Sequence, residues 1–510
     1  MRLPSFLPVA LVAAAAVCIR ILAFSALDGL LPQEGLYVDE KTYTMSPFVS
    51  GVEGFSRPPG MFVAGMLLDI RENVVISRAV LSILSLLPAL ALYLALGRKT
   101  PQAKFCAAGL ALSPFLILYG FQIMPAVVAA VLLSFSLLAA VRERYGLAGF
   151  LAGAAMLFRA ELAIVPVVLL LLSVGRYFRR WAVFTSLAAV AVLPVVAINL
   201  LSGAGPVIAA NGGGNLWIGS RWDLLSTPPG VEFEELMSTG GTAHTGDRVF
   251  LERAVREIRS RPGEWLGMGA VKTLAFFSLP GPGRNVETGW IMKSTLLALL
   301  LPLTLAALSL GIAGGFQKGG GYWKLIAVSV IASGLITSFL FFPSARYRTA
   351  VLPAFWFLAA CSAWNGRLLM RSIFPAVAIV LISLLLTYPG KVRSGLTSML
   401  AAQHHLQSGD LASSMQYLRD ASRRGYHGAD LHNVRGALLS MSGSRREGME
   451  EFQLALRLAP DSPTLWKNYA VSLWSVGRYR ESVNAAETAV LLNPLLREEL
   501  GPILERGGHP

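Results

Sequence analysis

Along the first three-quarters of the chain, long apolar runs alternate with short basic turns. Along the last quarter, apolar residues recur at helical spacing among charged ones. The apolar runs cover about 1–27, 76–97, 104–120, 123–141, 146–159, 161–175, 181–201, 289–312, 323–342, 349–365 and 373–388. A helix crosses a bilayer with about 20 apolar residues, so these runs predict about eleven spans. The stretch 146–175 is the difficult case. At about 1.5 Å per residue it is roughly 45 Å long, too long for one straight crossing and short for two. Arg159-Ala160-Glu161 sits in its middle, so two short helices are expected to meet there. The first run resembles a signal peptide, with Ala23 and Ser25 near a cleavage position. Arg20 interrupts it late, which favours an uncleaved first span.

The basic turns test the parity of this count. Arg98, Lys99 and Lys104 form one group, and Arg142 with Arg144 another. Arg176, Arg179 and Arg180 follow, then Lys318 and Lys324, then Arg367 and Arg371. With 146–175 as two helices, all of them join Arg2 on one side, as positive charge on the inner side of a membrane requires. The long segments 28–75 and 202–288 then face outward, and so does the region after Pro389-Gly390. Within 247–260 the apolar residues fall near helical spacing between charges, predicting an amphipathic helix ended by Arg261-Pro262-Gly263. Such a helix covers the structure or lies on the membrane surface.

Residues 391–510 form a separate soluble region, and they repeat. Gly409, Gly443 and Gly477 are 34 apart (443 − 409, 477 − 443), as are Pro460 and Pro494 (494 − 460). The last unit carries Trp466, Tyr469, Leu473, Tyr479, Ala486 and Ala489. The middle one has Gly436, Leu439, Phe452 and Ala455, and the first has Ala402, Leu418 and Ala421. This pattern resembles an array of about three tetratricopeptide repeats (TPRs). Small residues let paired helices approach, and neighbouring pairs must stack to bury their apolar faces. Such arrays are binding scaffolds, so a protein partner is implied. The expected fold is therefore all-α, a polytopic membrane bundle over 1–390 followed by an α-solenoid over 391–510.

Composition narrows the class further. Of 510 residues, 54% are hydrophobic and 15% charged, and mean hydropathy is +0.57. A soluble chain carries about a quarter charged residues, which excludes a soluble enzyme and a disordered protein. The net charge is 44 − 30 = +14. Because much of the excess sits in the short turns, it fits topology and contact with anionic lipid headgroups better than nucleic acid. Cys18, Cys106 and Cys361 are scattered through apolar runs, so neither a disulfide framework nor a zinc site is suggested.

Candidate chemistry concentrates in the outward segments. Tyr37-Val38-Asp39-Glu40-Lys41-Thr42-Tyr43 follows the first span. Adjacent carboxylates there can act as a general base or bind a cation, or form a solvated loop face. Arg57-Pro58-Pro59-Gly60 comes next. Two prolines stiffen the backbone and present the arginine in a defined place, and its fork of donors suits phosphate. Asp223, Glu232, Glu234, Glu235, His244 and Asp247 lie in the second outward segment, where a solvated surface accounts for them better than a metal patch would.

An acidic pair after the first span, followed by a basic-Pro-Pro motif, resembles the GT-C membrane glycosyltransferases. The pattern is most like the family-39-type branch of protein O-mannosyltransferases and lipid A aminoarabinose transferases. Ser113-Pro114 ending the third span and Met124-Pro125 opening the fourth are similar to that branch's short outer turn. Gly149 to Arg159 resembles its glycine-rich hairpin. Asn211-Gly212-Gly213-Gly214-Asn215-Leu216-Trp217 resembles the start of its large outer loop, and Arg346-Tyr347-Arg348 with Pro353 its Arg-Tyr element. The resemblance runs in order over about residues 1–388.

It implies inverting transfer of a sugar from a polyprenyl-phosphate donor to a protein, glycan or lipid acceptor at the outer membrane face. The base would be Asp39, with Glu40 beside it in an open role. Arg57, Arg346, Arg348, Arg159 and Lys41 become candidates for holding the leaving lipid phosphate. Tyr43, Asn215 and His244 are candidates for the acceptor side. For Arg159, Arg346 and Arg348, anchoring at the membrane interface stands as the alternative. No cofactor is certain, and a divalent metal stays open but is not demanded, because arginines can stabilise the leaving phosphate. The aminoarabinose transferases lack a TPR unit, so sugar and acceptor stay open. The Ala, Gly, Leu and Arg usage suggests a bacterial inner membrane, with the loops and the repeats on the periplasmic side, and an endoplasmic reticulum membrane is the alternative. A transporter or flippase with a docking domain, and a noncatalytic envelope-assembly scaffold, are the competing readings.

Overall fold

The computed structural model describes residues 7–27, 57–68, 73–97, 100, 102–174, 176–220, 243–278, 295–317, 321–361, 378 and, with short gaps, 398–506. Every element among them is helical. The chain divides into two compact units, 1–215 with 261–387, and 216–260 with 388–510.

Among the described residues of the first unit five helices are long and apolar enough, by length and composition, to cross a membrane: Val74–Leu96, Gln102–Gly120, Phe178–Leu201, Leu296–Phe316 and Tyr322–Leu340. Leu7–Leu27 is a 21-residue apolar helix, and Pro125–Val141, Tyr145–Met156 and Ala160–Ser173 are apolar but shorter. Among the described residues five full-length spans are found, fewer than the eleven expected from the whole sequence. Counting apolar residues ignores what cuts a helix. The 146–175 stretch divides into Tyr145–Met156, a 3₁₀ turn Ala160–Ala163 and Ile164–Ser173, as its length and the Arg159-Glu161 pair predict. The late run forms Ala345–Ala360, and 373–388 lies almost wholly outside the described residues.

Two of the long helices are interrupted. Val74–Leu84 passes to Leu87–Leu96 just before Pro88, and Gln102–Ala111 passes to Pro114–Gly120. Each proline lacks the N–H that would continue the ladder. Ser113-Pro114 is therefore an internal break, and the turn falls later, at Phe121–Met124. Buried Arg20 joins the two breaks. Its Nη1 donates to the carbonyls of Ala16 (3.0 Å) and Ala111 (2.8 Å), and its Nε and Nη2 donate to Ser85 Oγ, both at 3.0 Å. Charge-assisted bonds of this kind replace the backbone partners that the breaks remove.

Small residues set the closest approaches. A Cβ on Gly149 would lie 1.9 Å from the carbonyl oxygen of Phe184, and one on Gly314 2.2 Å from that of Leu358. Backbone meets backbone at both places, as small residues permit between apolar helices. Two apolar clusters result. The larger holds Leu110, Ala129, Leu137, Ala307 and Phe355, and the second holds Met61, Phe62, Leu81, Phe115, Tyr119, Met124 and Ala345.

In the second unit the helices Leu411–Arg423, Ala429–Met441, Arg445–Leu458, Pro463–Ser475 and Tyr479–Leu492 form TPR-like repeats. The geometry repeats with the sequence. Gly409, Gly443 and Gly477 have φ of 80°, 96° and 82°, the left-handed conformation that ends a helix and suits glycine. After each, the next amide bonds back to the same place: Asp410 N to His405 O, Ser444 N to Leu439 O and Arg478 N to Leu473 O, at 2.9, 2.9 and 3.0 Å. Ala421, Ala455 and Ala489 are wholly buried at equivalent positions. Ser414 Oγ donates to Ala402 O (2.8 Å) and Ser482 Oγ to Ala470 O (2.7 Å). In the middle repeat two glycines, Gly436 and Gly448, occupy those positions.

The amphipathic pattern at 247–260 also forms a helix, Ala243–Ser260. It buries Phe250 and Ala254 against Trp217 of the helix Gly212–Ser220, with Trp217 and Phe250 ring centroids 5.0 Å apart. That packing makes a helix of a triple-glycine segment otherwise expected to be loop.

Candidate functional site

Three of the sequence-predicted segments come together at one end of the first unit. The Arg57-Pro58-Pro59-Gly60 motif leads directly into the helix Gly60–Leu68. Its Gly60 amide donates to the Leu157 carbonyl at 2.7 Å, docking the motif on the turn that carries Arg159. A Cβ on Gly60 would sit 2.8 Å from that oxygen and 2.8 Å from the Phe158 ring. Only glycine allows the two segments to touch this way. Arg57 itself is half-buried.

Arg159, 7% exposed, lies between the helix Tyr145–Met156 and the 3₁₀ turn Ala160–Ala163. Its Nε donates to Glu161 Oε1 at 2.5 Å, and its guanidinium lies 4.7 Å from the centre of the Tyr347 ring. The ion pair and the cation–π contact fix one guanidinium between two segments. The third segment, Arg346-Tyr347-Arg348, is thereby tied to the other two. It opens the helix Ala345–Ala360, whose N-cap Ser344 accepts from the Arg346 amide at 3.3 Å.

The two arginines of this segment have different surroundings. Arg346 is half-buried, its Nε 3.4 Å from Ser344 Oγ. Arg348 is fully buried. Its Nη1 donates to the carbonyls of Phe276 (2.9 Å) and Ser278, and its guanidinium lies 4.3 Å from the Phe115 ring centre. Those carbonyls end the helix Pro262–Ala275, so Arg348 serves as a C-cap for it. Lys272 does the same for a neighbour. Also fully buried, its Nζ donates to Phe341 O at 2.8 Å, just past the end of Tyr322–Leu340. Arg348 and Lys272 thus answer the negative ends of helices. Buried Arg78, on Val74–Leu84, adds a further cation that no motif indicated.

Asp39, Glu40, Lys41 and Tyr43 lie outside the described residues, as do Asp223, Glu232, Glu234 and Glu235. Asn215 sits half-buried inside Gly212–Ser220, its amide on Asn211 O at 3.2 Å. His244 belongs to the first turn of Ala243–Ser260, with its side chain outside the described set. Neither is brought to Arg57, Arg159 or Arg346 by any described contact. Among the described residues no three His, Cys, Asp or Glu side chains are grouped to hold a metal.

The helix Pro262–Ala275, which the sequence reading missed, supplies Lys272 and the carbonyls for Arg348. Its signal was a proline at the first helical position with Glu264 beside it in the first turn.

No protein-family model matches the chain, and no curated protein matches it. Among solved structures it shows a similarity to the crystal structure of the APC/C hetero-tetramer Cut9-Hcn1. That similarity spans 77% of this chain and 85% of that chain, at 14% identity and a TM-score of 0.22. Such a score does not establish a shared fold, and the repeat assignment rests on the chain's own 34-residue geometry.

Proposed function

We propose that the chain is an integral membrane glycosyltransferase of the GT-C-like type, with about eleven crossings. It transfers a sugar, with inversion, from a polyprenyl-phosphate donor to an acceptor hydroxyl at the outer membrane face. The observation that carries this reading is the meeting of Arg57-Pro58-Pro59-Gly60, Arg159 and Arg346-Tyr347 at one end of an apolar helical unit. A lipid phosphate leaving from the anomeric carbon needs cations at the bilayer surface.

In this mechanism Asp39, 18 residues before Arg57 (57 − 39), takes the acceptor proton as the oxygen attacks. The C–O bond to the phosphate breaks, and its electron pair leaves with the lipid phosphate. Arg57 and Arg346 neutralise that charge. Arg159 acts as a positioning residue through Glu161 and Tyr347, and Arg348 holds the helix Ala345–Ala360 in place. The TPR-like unit presents a protein or envelope-glycan acceptor, on the periplasmic side of a bacterial inner membrane.

The test is Asp39→Asn in the intact membrane protein, assayed with polyprenyl-phosphate sugars and by mass spectrometry of envelope proteins and glycolipids. Loss of at least a hundredfold in transfer, with folding retained, is expected for a general base. Undiminished transfer by the folded variant would overturn the reading.

A further inference from the structure

At the opposite end of the same unit, three turns meet around tyrosines. Tyr322 is fully buried at the start of Tyr322–Leu340. Its ring stands edge-on to Tyr145 (5.2 Å, 85°) and tilted against Tyr177 (5.4 Å). Arg180 lies 5.2 Å from the Tyr145 ring centre and 5.3 Å from that of Tyr177, and Arg176 lies 5.2 Å from Tyr177. A ring face orients a guanidinium without using its N–H donors. Among the described residues the side chains of Arg142, Arg144, Arg176, Arg179 and Arg180 make no hydrogen bond or ion pair. Arg142, Arg144, Arg176 and Arg179 are exposed. Glu143, exposed between two of them, is the one carboxylate in the described parts of the turns 142–145 and 174–181.

Apolar surface adjoins this cationic platform. Val174 is 72% exposed and Phe178 59%, with Leu147 and Val183 beside them. The turn 174–181 opens Phe178–Leu201, one of the helices long enough to cross a membrane. A ligand that fits both surfaces carries a phosphate next to hydrocarbon. A nucleic acid or free phosphate would match the arginines and leave the apolar wall uncovered.

We propose that Arg176 and Arg180, on the tyrosine platform of Tyr145, Tyr177 and Tyr322, together with the adjacent exposed Arg179 bind the headgroup of an anionic phospholipid whose chains lie along Val174 and Phe178. The site is distinct from the Arg57–Arg159–Arg346 end, and the proposal does not depend on sugar transfer.

Native mass spectrometry of the detergent-purified full chain, titrated with phosphatidylglycerol or phosphatidylcholine, tests it. Wild type is expected to retain phosphatidylglycerol selectively. Removing one surface arginine is worth about a fivefold loss of retention, so Arg179→Gln loses about fivefold and Arg176→Gln with Arg179→Gln about 25-fold. Arg179→Lys retains selectivity, and Arg256→Gln, an exposed arginine of the second unit, changes nothing. Arg179 makes no described polar contact, so its glutamine variant decides the matter even if changes at Arg176 disturb folding. Equal retention of the two lipids, or undiminished phosphatidylglycerol binding by folded Arg179→Gln, would overturn the proposal.

Discussion

Gly60→Ala is a single-methyl change aimed at the contact that assembles the candidate site. The added Cβ would lie 2.8 Å from the Leu157 carbonyl oxygen and 2.8 Å from two Phe158 ring carbons, where ordinary contact begins near 3.4 Å. Phe158 can turn, but a backbone carbonyl at the end of a packed hairpin has little freedom. The Gly60 N–H bond to Leu157, now 2.7 Å, must lengthen or break. Losing it costs about 1 kcal/mol, and overpacking adds about 1–3 kcal/mol. The local docking is therefore weakened by about 2–4 kcal/mol. At about 1.4 kcal/mol per tenfold, the open population rises by about thirtyfold or more. Hydrogen exchange read by mass spectrometry on peptides covering 57–68 should show that acceleration, with transfer activity falling alongside. The internal control is Gly263→Ala on Pro262–Ala275, where the new methyl meets nothing within 4 Å. There alanine should stabilise the helix by about 0.5–1 kcal/mol. Unchanged exchange at 57–68 in Gly60→Ala would refute the claim that this glycine docks the arginine motif onto the Arg159 turn.

Arg348→Ala should lower thermal stability by about 3 kcal/mol or more, because it strands the buried Phe276 and Ser278 carbonyls. Arg346→Ala should leave the melting temperature within a degree or two while reducing transfer, and the reverse ranking would contradict their assigned roles. In the repeat unit, burial holds the Asp430 carboxyl above its ordinary 3.8, opposed by hydrogen bonds from Tyr426 and the Leu431 amide and by nearby His432. The folded state therefore keeps this proton longer than the unfolded chain. Its contribution to stability is most favourable below 3.8, declines as pH rises through the higher folded value, and is level above it. Asp430→Asn, followed by melts of the repeat unit across that range, should flatten this component, and an unaltered pH profile would argue against it.

Much of the fold was legible because its signals are local. The 34-residue spacing of Gly409, Gly443 and Gly477 marks positions where only a left-handed backbone closes the turn, and the three φ values agree. The break at Arg159-Glu161 was legible because a charged pair interrupts an apolar run. What escaped was decided by distant partners. Gly212-Gly213-Gly214 reads as loop by propensity, and becomes helix because Trp217 finds Phe250 more than thirty positions on (250 − 217 = 33). Ser113-Pro114 reads as a helix end, yet the helix resumes at Pro114 and Arg20 satisfies the Ala111 carbonyl from 91 positions away.

At the candidate site, the sequence located the cations but could not sort them. Arg346 and Arg348 belong to one motif and look equivalent, yet two residues of a helix turn the side chain through about 200°. One guanidinium stays at the half-buried surface with Ser344, and the other enters the core to meet carbonyls some seventy residues away. Arg20 and Lys272 show the same chemistry, each buried and each answered by backbone oxygens at a helix end or break. These three cations are neutralised by backbone dipoles, and Arg159 by Glu161. A phosphate arriving at this end would be met first by the half-buried Arg57 and Arg346, because Arg20, Arg159, Lys272 and Arg348 are buried. That ordering follows from burial rather than from motif membership, which is why a charge count alone could not reach it.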